Sequence, residues 1–316
     1  MWSRLTLTMA GAAGALLLLR IGLGPQSRAL RAPLLSSAVE SGAHWANPSD
    51  FRQLKRLGFQ FAVVSLNRDE AHWETVFREA ERAGIRLIAG IHPYPYRLEA
   101  GQWVIEPVGL RFIEFARKHS VVVKALYGFS EPYWVDPSTG VNTPCGAHSA
   151  AELRDLRKWI RRIWPEARLY HDFGRPSLWA PGGAMERDHG CVGNRYADAS
   201  GVADYAGIWF YPVSGRQGYQ REELVRSMRE EVAYVTLSMR AEPIVLGQAF
   251  RCEGCGEGTR MPTVNEARDI NCTLRWIAPH AISWYLWRQP PSRDTLIAHP
   301  ELWEAIDARG CPDGNG

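Results

Sequence analysis

Glu131 stands in the stretch Tyr127-Gly128-Phe129-Ser130-Glu131-Pro132-Tyr133-Trp134, directly after an apolar run over residues 121–126. A buried strand that breaks into a proline-fixed turn presents this acid at its carboxyl end. A carboxyl held among Phe129, Tyr133 and Trp134 is expected to keep its proton to higher pH than a solvated one, which suits a general acid. Asp172 follows His171 at the end of a second short strand, 167–170, and Gln248 follows a third, 243–246. An acid, a second carboxylate and an amide at strand ends could together protonate a leaving group, activate water and orient a substrate. Glu131, Asp172 and Gln248 are therefore the candidate catalytic residues.

The elements that carry these residues repeat. Strand-like apolar runs fall at 42–46, 59–66, 85–91, 121–129, 167–170, 205–210, 243–246 and 281–287. Between them lie amphipathic stretches at 51–57, 69–83, 110–119, 150–164, 222–239 and 265–277, and a last one at 300–308. Solid apolar runs mark strands buried on both faces, and their alternation with helices implies parallel strands joined by crossovers. Eight such units predict a closed (β/α)8 TIM barrel as a single domain over 42–316. An open doubly wound sheet is the alternative, but no G-x-G-x-x-G or G-x-x-x-x-G-K-[ST] element follows any strand.

In a barrel the strand ends gather on one face. Trp45, Asn67, His92, Tyr94, Ser130, Trp134, His171, Tyr211, Trp284 and Trp287 are then candidate substrate-binding residues, with His44 and Arg68 beside them. The set is polar and aromatic, and it suits a neutral polyol better than a phosphate, which calls for cations or backbone donors. Thirteen tryptophans give ample apolar faces for stacking on sugar rings. Trp284 and Trp287 are three apart and point to opposite sides of a strand, so one should face the lumen.

Composition excludes other classes. With 316 residues, 46% hydrophobic, 22% charged and a net charge of +3, the chain has no basic face for nucleic acid. A monomer without cofactor or metal is expected. Residues 1–41 read as a signal peptide or N-terminal anchor: a short basic start, then an apolar stretch of fifteen residues at 5–19, shorter than the ~20 that span a bilayer. This places the protein in a secreted or periplasmic setting, with membrane contact only through an uncleaved leader. Six cysteines, Cys145, Cys191, Cys252, Cys255, Cys272 and Cys311, then argue for disulfides. The rival is a zinc site using Cys252, Cys255, Cys272 and His189. Asn271-Cys272-Thr273 matches a glycosylation sequon.

Ser130-Glu131-Pro132 after the fourth strand resembles the Asn-Glu-Pro motif of retaining glycoside hydrolases built on a (β/α)8 barrel. His92, Tyr211 and a tryptophan at the eighth strand fall where those enzymes often hold substrate. The combination with Gln248-Ala249-Phe250 is also similar to exported bacterial barrels described only as glycoside hydrolase-like. The resemblance spans most of 42–309 and implies an enzyme acting on an oligo- or polysaccharide, with Glu131 as acid/base. Two departures matter: Ser130 replaces asparagine, and Gln248 stands where the nucleophilic glutamate belongs. A retaining pair needs two carboxyl groups about 5–5.5 Å apart, one of which attacks carbon, and an amide cannot form that ester. Three routes remain: Asp172 as base for an inverting water, attack by the substrate's own acetamido group, or a carbohydrate-binding barrel that does not cleave. A zinc-dependent hydrolase built on the strand-end histidines is a further class.

Overall fold

The computed structural model describes residues 39–133, 148–189, 198–251, 258–278, 280–285, 287, 294–307, 309 and 311. In chain order the strands are β1 (Glu40–His44), β2 (Phe61–Leu66), β3 (Arg86–Ile91), β4 (Tyr96–Glu99), β5 (Gln102–Ile105) and β6 (Val123–Ser130). They continue as β7 (Leu169–Gly174), β8 (Tyr205–Trp209), β9 (Val213–Ser214), β10 (Gly218–Tyr219), β11 (Glu242–Gln248) and β12 (Ala281–Tyr285). Eight of them close a barrel in the order β1, β2, β3, β6, β7, β8, β11, β12, with β12 paired to β1 and every pairing parallel. The helices α1 (Phe51–Arg56), α2 (Glu70–Ala83), α3 (Pro107–Lys118), α4 (Ala150–Ile163), α5 (Ala184–His189), α6 (Arg221–Tyr234) and α7 (Val264–Ile277) alternate with these strands. This is a single-domain (β/α)8 TIM barrel.

Local chemistry explains the helix limits. Asp69 caps α2 by accepting from the Ala71 N–H, Gly84 ends it in the left-handed region (φ 65°), and Trp73, Val76, Phe77 and Ala80 form its buried stripe. Ser149 with Glu152 and Thr263 with Glu266 make capping boxes that start α4 and α7. The buried apolar faces meet a shell around the barrel, and each fully buried large side chain there stabilises by roughly 1.5–3 kcal/mol.

The lumen is a second, smaller core of Phe61, Val63, Ile88, Ala125, Tyr127, Tyr170, Tyr205, Ile244, Leu246 and Ala281. At its amino-terminal end the Lys124 ammonium lies 5.2 Å from the Phe61 ring centre and 4.8 Å from that of Tyr205, and it pairs with Glu40. On β8, Gly207 leaves room for side chains of β7. A Cβ there would stand 2.2 Å from Asp172 Oδ1 and 2.3 Å from the Tyr170 hydroxyl.

Several details differ from expectation. β1 begins at Glu40, inside the segment read as leader, because Glu40 and Ser41 already pair with Ala281 and Ile282. The ribbon of β4 and β5 was not anticipated. Its turn puts Ala100 (φ 48°) and Gly101 (φ 79°) in the left-handed region, and an alanine in the first place hides that turn from the sequence. The stretch 300–308 is no α-helix but a 3₁₀ turn, Pro300–Leu302, following another at Leu296–Ala298.

Cys272 is bonded to Cys311, which ties α7 to the chain end and removes Cys272 from the zinc set. Cys145, Cys191, Cys252 and Cys255 lie outside the described residues. Asn271 is buried, and its amide donates to the carbonyls of Ala305 and Asp307 at 3.1 Å each. A folded chain therefore offers no glycan acceptor at that sequon. Among the described residues no helix is long and apolar enough to cross a membrane.

Gly207→Ala is predicted to destabilise the fold by about 1–3 kcal/mol, because the new methyl overpacks the lumen beside Asp172. Urea unfolding of the two proteins checks this.

Candidate active site

β6 carries one more residue than its neighbour at the barrel mouth. Tyr127 pairs with Tyr170, but Ser130 pairs with Asp172, so three steps on β6 match two on β7. A bulge of this kind re-aims the strand end. The Ser130 N–H donates to the Tyr94 hydroxyl at 2.9 Å, and the Glu131 N–H donates to the Asp172 carbonyl at 2.5 Å. Glu131 is thereby held at φ 47°, and Trp45 at the end of β1 sits at φ 60°. Left-handed backbone costs a non-glycine residue about 1 kcal/mol or more, and such strain collects at functional sites.

The Glu131 side chain is partly buried and accepts no hydrogen bond from any described residue. Burial first, and the nearby Asp172 charge second, push its carboxyl up to about 7. That is where a general acid for near-neutral chemistry should lie.

Asp172 has a different setting. It is 2% exposed and lies in the lumen. Its Oδ2 accepts from the Tyr127 hydroxyl at 2.7 Å and its Oδ1 from the Tyr170 hydroxyl. His44 Nε2 stands 3.4 Å from Oδ1 and 3.0 Å from the Tyr170 oxygen, while its Nδ1 meets Ser283 Oγ at 2.8 Å. Both tyrosine hydroxyls are pushed well above their ordinary value, by burial and then by the Asp172 charge.

The mouth is lined with rings. Trp209 and Tyr285 are parallel, with centroids 6.5 Å apart, and Tyr211 stacks against both at 6.2 and 6.3 Å. Phe250 stands edge-on to Tyr211 and Tyr285, and Trp45 leans on Tyr127 at 6.0 Å. Tyr94 lies parallel to Tyr127, with burial pushing its hydroxyl up to about 12. Glu131, Asp172, Trp45, Tyr94, Ser130 and Tyr211 are thus gathered at this end. His92 is exposed at the tip of β3, edge-on to Tyr94. Asn67 is an exposed turn residue whose side chain accepts from the Asp69 N–H. Trp134 lies outside the described residues.

Four placements need correction. Neither Trp284 nor Trp287 faces the lumen. On β12 it is Ser283 and Tyr285 that point inward, so Trp284 packs outward beneath Gly247, and Trp287 stacks on Trp303 in the shell. His171 likewise points outward between Tyr170 and Asp172, stacked on Phe129, with Nδ1 accepting from the Phe129 N–H. Burial, then His148, holds it down to about 3, so it stays neutral. Gln248 is fully buried: Oε1 accepts from the Val213 N–H, and Nε2 donates to the carbonyls of Val213 and Arg260, each at 3.0 Å. Its amide is consumed in tying the β9–β10 ribbon and the 258–263 loop to the seventh barrel strand, and no orienting role toward substrate remains open to it.

Sequence reasoning missed Tyr127, Tyr170, Ser283, Trp209 and Tyr285 as site residues. The signal was the two-residue period: once Asp172 is inward, Tyr170 must be as well. Among the described residues no group of three or more metal-ligating side chains gathers. An open depression on the outer face of α6, lined by Arg221, Val225, Arg226 and Arg229, belongs to the helical shell and not to the strand ends.

No protein-family model matches the chain, and no curated protein sequence matches it. Solved structures do. A protein from Bacteroides thetaiotaomicron described as an α-L-fucosidase is 9% identical over 85% of this chain and 94% of its own, with a TM-score of 0.51. A β-1,4-D-mannanase from Cryptopygus antarcticus is 11% identical, covering 87% and 91%, at 0.49. An endo-β-1,3-glucanase from Amycolatopsis mediterranei, solved with laminarihexaose, is 12% identical, covering 86% and 99%, at 0.47. These neighbours are glycoside hydrolases, and at such identity the likeness is one of fold.

The Gln248 tether makes a sharp prediction. Gln248→Glu would set a carboxylate against two carbonyl oxygens, at a cost of about 1–3 kcal/mol or more. The folded state would then favour the protonated acid. The loss should be present above pH 5 and shrink as pH falls through the raised value, as read by thermal unfolding at pH 4 and pH 8.

Proposed function

We propose that this protein hydrolyses glycosidic bonds in a neutral oligo- or polysaccharide, with Glu131 as general acid. One observation carries the reading: a partly buried carboxyl at a strained strand end, with no hydrogen-bond partner among the described residues and pushed up to about 7 by burial, at the same barrel mouth as a set of aromatic rings. Such an acid gives its proton to the leaving oxygen, and the rings offer flat apolar faces to sugar. The apolar stretch at 5–19, ahead of the barrel, and the Cys272–Cys311 bond support an exported protein.

The second group of the reaction is neither Gln248, whose amide is spent, nor Asp172, whose oxygens are both engaged away from solvent. The reading therefore favours substrates that bring their own nucleophile, a 2-acetamido sugar above all, with the acetamido oxygen attacking as Glu131 protonates the leaving group. The specific observation for the rival reading, a carbohydrate-binding barrel without turnover, is that same Gln248. Calorimetry separates the two: saturable glycan binding with no product would favour the binder.

Glu131→Gln should lower kcat/KM by roughly a hundredfold or more on whichever of β-glucan, mannan or chitooligosaccharide is cleaved, with binding kept. In the unmodified enzyme kcat/KM should fall as pH rises through about 7, because the acid must carry its proton. Full activity in Glu131→Gln would remove this mechanism.

A further inference from the structure

Charge and exposed apolar surface divide between the two ends of this barrel. The helices run back from the mouth, so their last turns, and the turns into the next strand, lie at the end opposite Glu131. At the mouth end Glu70, Glu152, Glu222 and Glu266 open α2, α4, α6 and α7. At the other end Arg56, Arg82, Lys118 and Arg162 close α1 to α4. Helix-end charges of this sense are favourable in any fold. Two further observations exceed what that effect explains. Arg56, Lys118, Arg162 and Arg240 are exposed at this end and meet no acid among the described residues. Glu40, Asp198, Glu242 and Asp307 there are each paired with lysine or arginine, and Glu81 and Glu166 are exposed beside them. The large apolar side chains exposed among the described residues are Val121 (87%), Leu237 (77%) and Trp276 (57%). All three lie just ahead of barrel strands, at this same end, ahead of β6, β11 and β12. The Arg229 guanidinium stands 4.1 Å from the centre of the Trp276 ring. The chain also enters the barrel here, at Val39 and Glu40. Ahead of them in sequence come the apolar stretch at 5–19 and Arg4, Arg20, Arg28 and Arg31, with no acid before Glu40.

We propose that the amino-terminal end of the barrel is a membrane-docking face, which rests on a bilayer rich in anionic lipid and turns the Glu131 mouth away from it. The four unpaired cations follow four different helices, α1, α3, α4 and α6, and so are spread around the face. A flat anionic surface meets such a spread, whereas a compact anion would need them gathered at one point. Each cation near an anionic membrane adds roughly a fivefold gain in binding, which fades beyond about 8–10 Å and is screened by salt. Val121, Leu237 and Trp276 then enter the headgroup layer, where an indole with a cation over its ring is well accommodated. Nineteen residues separate the apolar stretch from Val39, so an uncleaved leader would keep this end of the barrel within reach of the bilayer.

The test places the full chain, one copy per disc, in lipid nanodiscs of two compositions: phosphatidylcholine alone, and equal parts phosphatidylcholine and phosphatidylglycerol. Amide hydrogen exchange is then followed by mass spectrometry. In the anionic discs at low salt, amides over 117–122, 236–241 and 274–278 should exchange roughly threefold slower or more than in the neutral discs. Those over 209–214 and 248–250, at the mouth, should be unchanged. High salt should abolish the difference, and so should Lys118→Glu, Arg162→Glu and Arg240→Glu combined. Thermal unfolding checks that the combined variant is folded. Should it not be, the lipid and salt comparisons on the unmodified chain still decide. Equal exchange in the two discs would overturn the proposal, and so would slowing at the mouth. Slowing that appears only when two chains share a disc would assign the face to a second copy and overturn it as well. No glycan enters the experiment, so its outcome is separate from that of the hydrolase reading.

Discussion

A carboxylate that is 2% exposed in a barrel interior is tolerable only if donors reach both of its oxygens, and that requirement shapes the upper half of this lumen. Tyr127, Tyr170, His44 and Ser283 come from four strands, and Gly207 makes room from a fifth. Their meeting depends on register. A slip of one residue in β7 would turn Tyr170 and Asp172 into the shell and bring His171 inward. The apolar shell stabilises any barrel of this size, whereas the Asp172 network selects this particular pairing of strands. Lys124, held by Glu40 over Phe61 and Tyr205, does related work for the opposite end of the lumen.

The same scaffold explains why two strand ends that look alike in sequence behave differently. β6 ends in a bulge and a left-handed glutamate whose side chain has no hydrogen-bond partner among the described residues, and such an arrangement persists only when the surrounding bonds over-determine it. β11 ends in a glutamine whose every polar atom is matched by backbone. The first end stores strain and leaves a reactive group unspent. The second spends its polar group to hold two loops. Position 248 is thus part of the framework around the mouth.

The fold was legible because its signals are local and repeated: apolar runs of strand length, glycine stops such as Gly84, and capping residues such as Asp69 and Ser149. Glu131 was legible too, since Glu-Pro after an apolar run fixes where an acid must stand. What stayed hidden was the side each residue faces. A strand buried on both faces shows no alternation of polar and apolar residues, so Tyr170-His171-Asp172 reads alike in either phase. The rule of two would have tied Tyr170 to Asp172, but nothing local says which pair is inward. The same ambiguity made Trp284 a lumen candidate when Ser283 and Tyr285 are the inward residues. The extra residue in β6 and the backbone partners of Gln248 are tertiary facts with no trace in a single sequence.

Two carboxyl groups on neighbouring strands will share a role only if their surroundings are alike, and here they diverge. Asp172 meets two tyrosine hydroxyls and an imidazole, while Glu131 has no hydrogen-bond partner among the described residues and burial pushes its carboxyl up to about 7. The difference between the two acids therefore arises from how tyrosines are distributed among strands, one layer below the barrel mouth. A barrel with the same Glu131 but phenylalanine in place of Tyr127 and Tyr170 would lose both hydroxyl contacts to Asp172, although every residue at the mouth was unchanged.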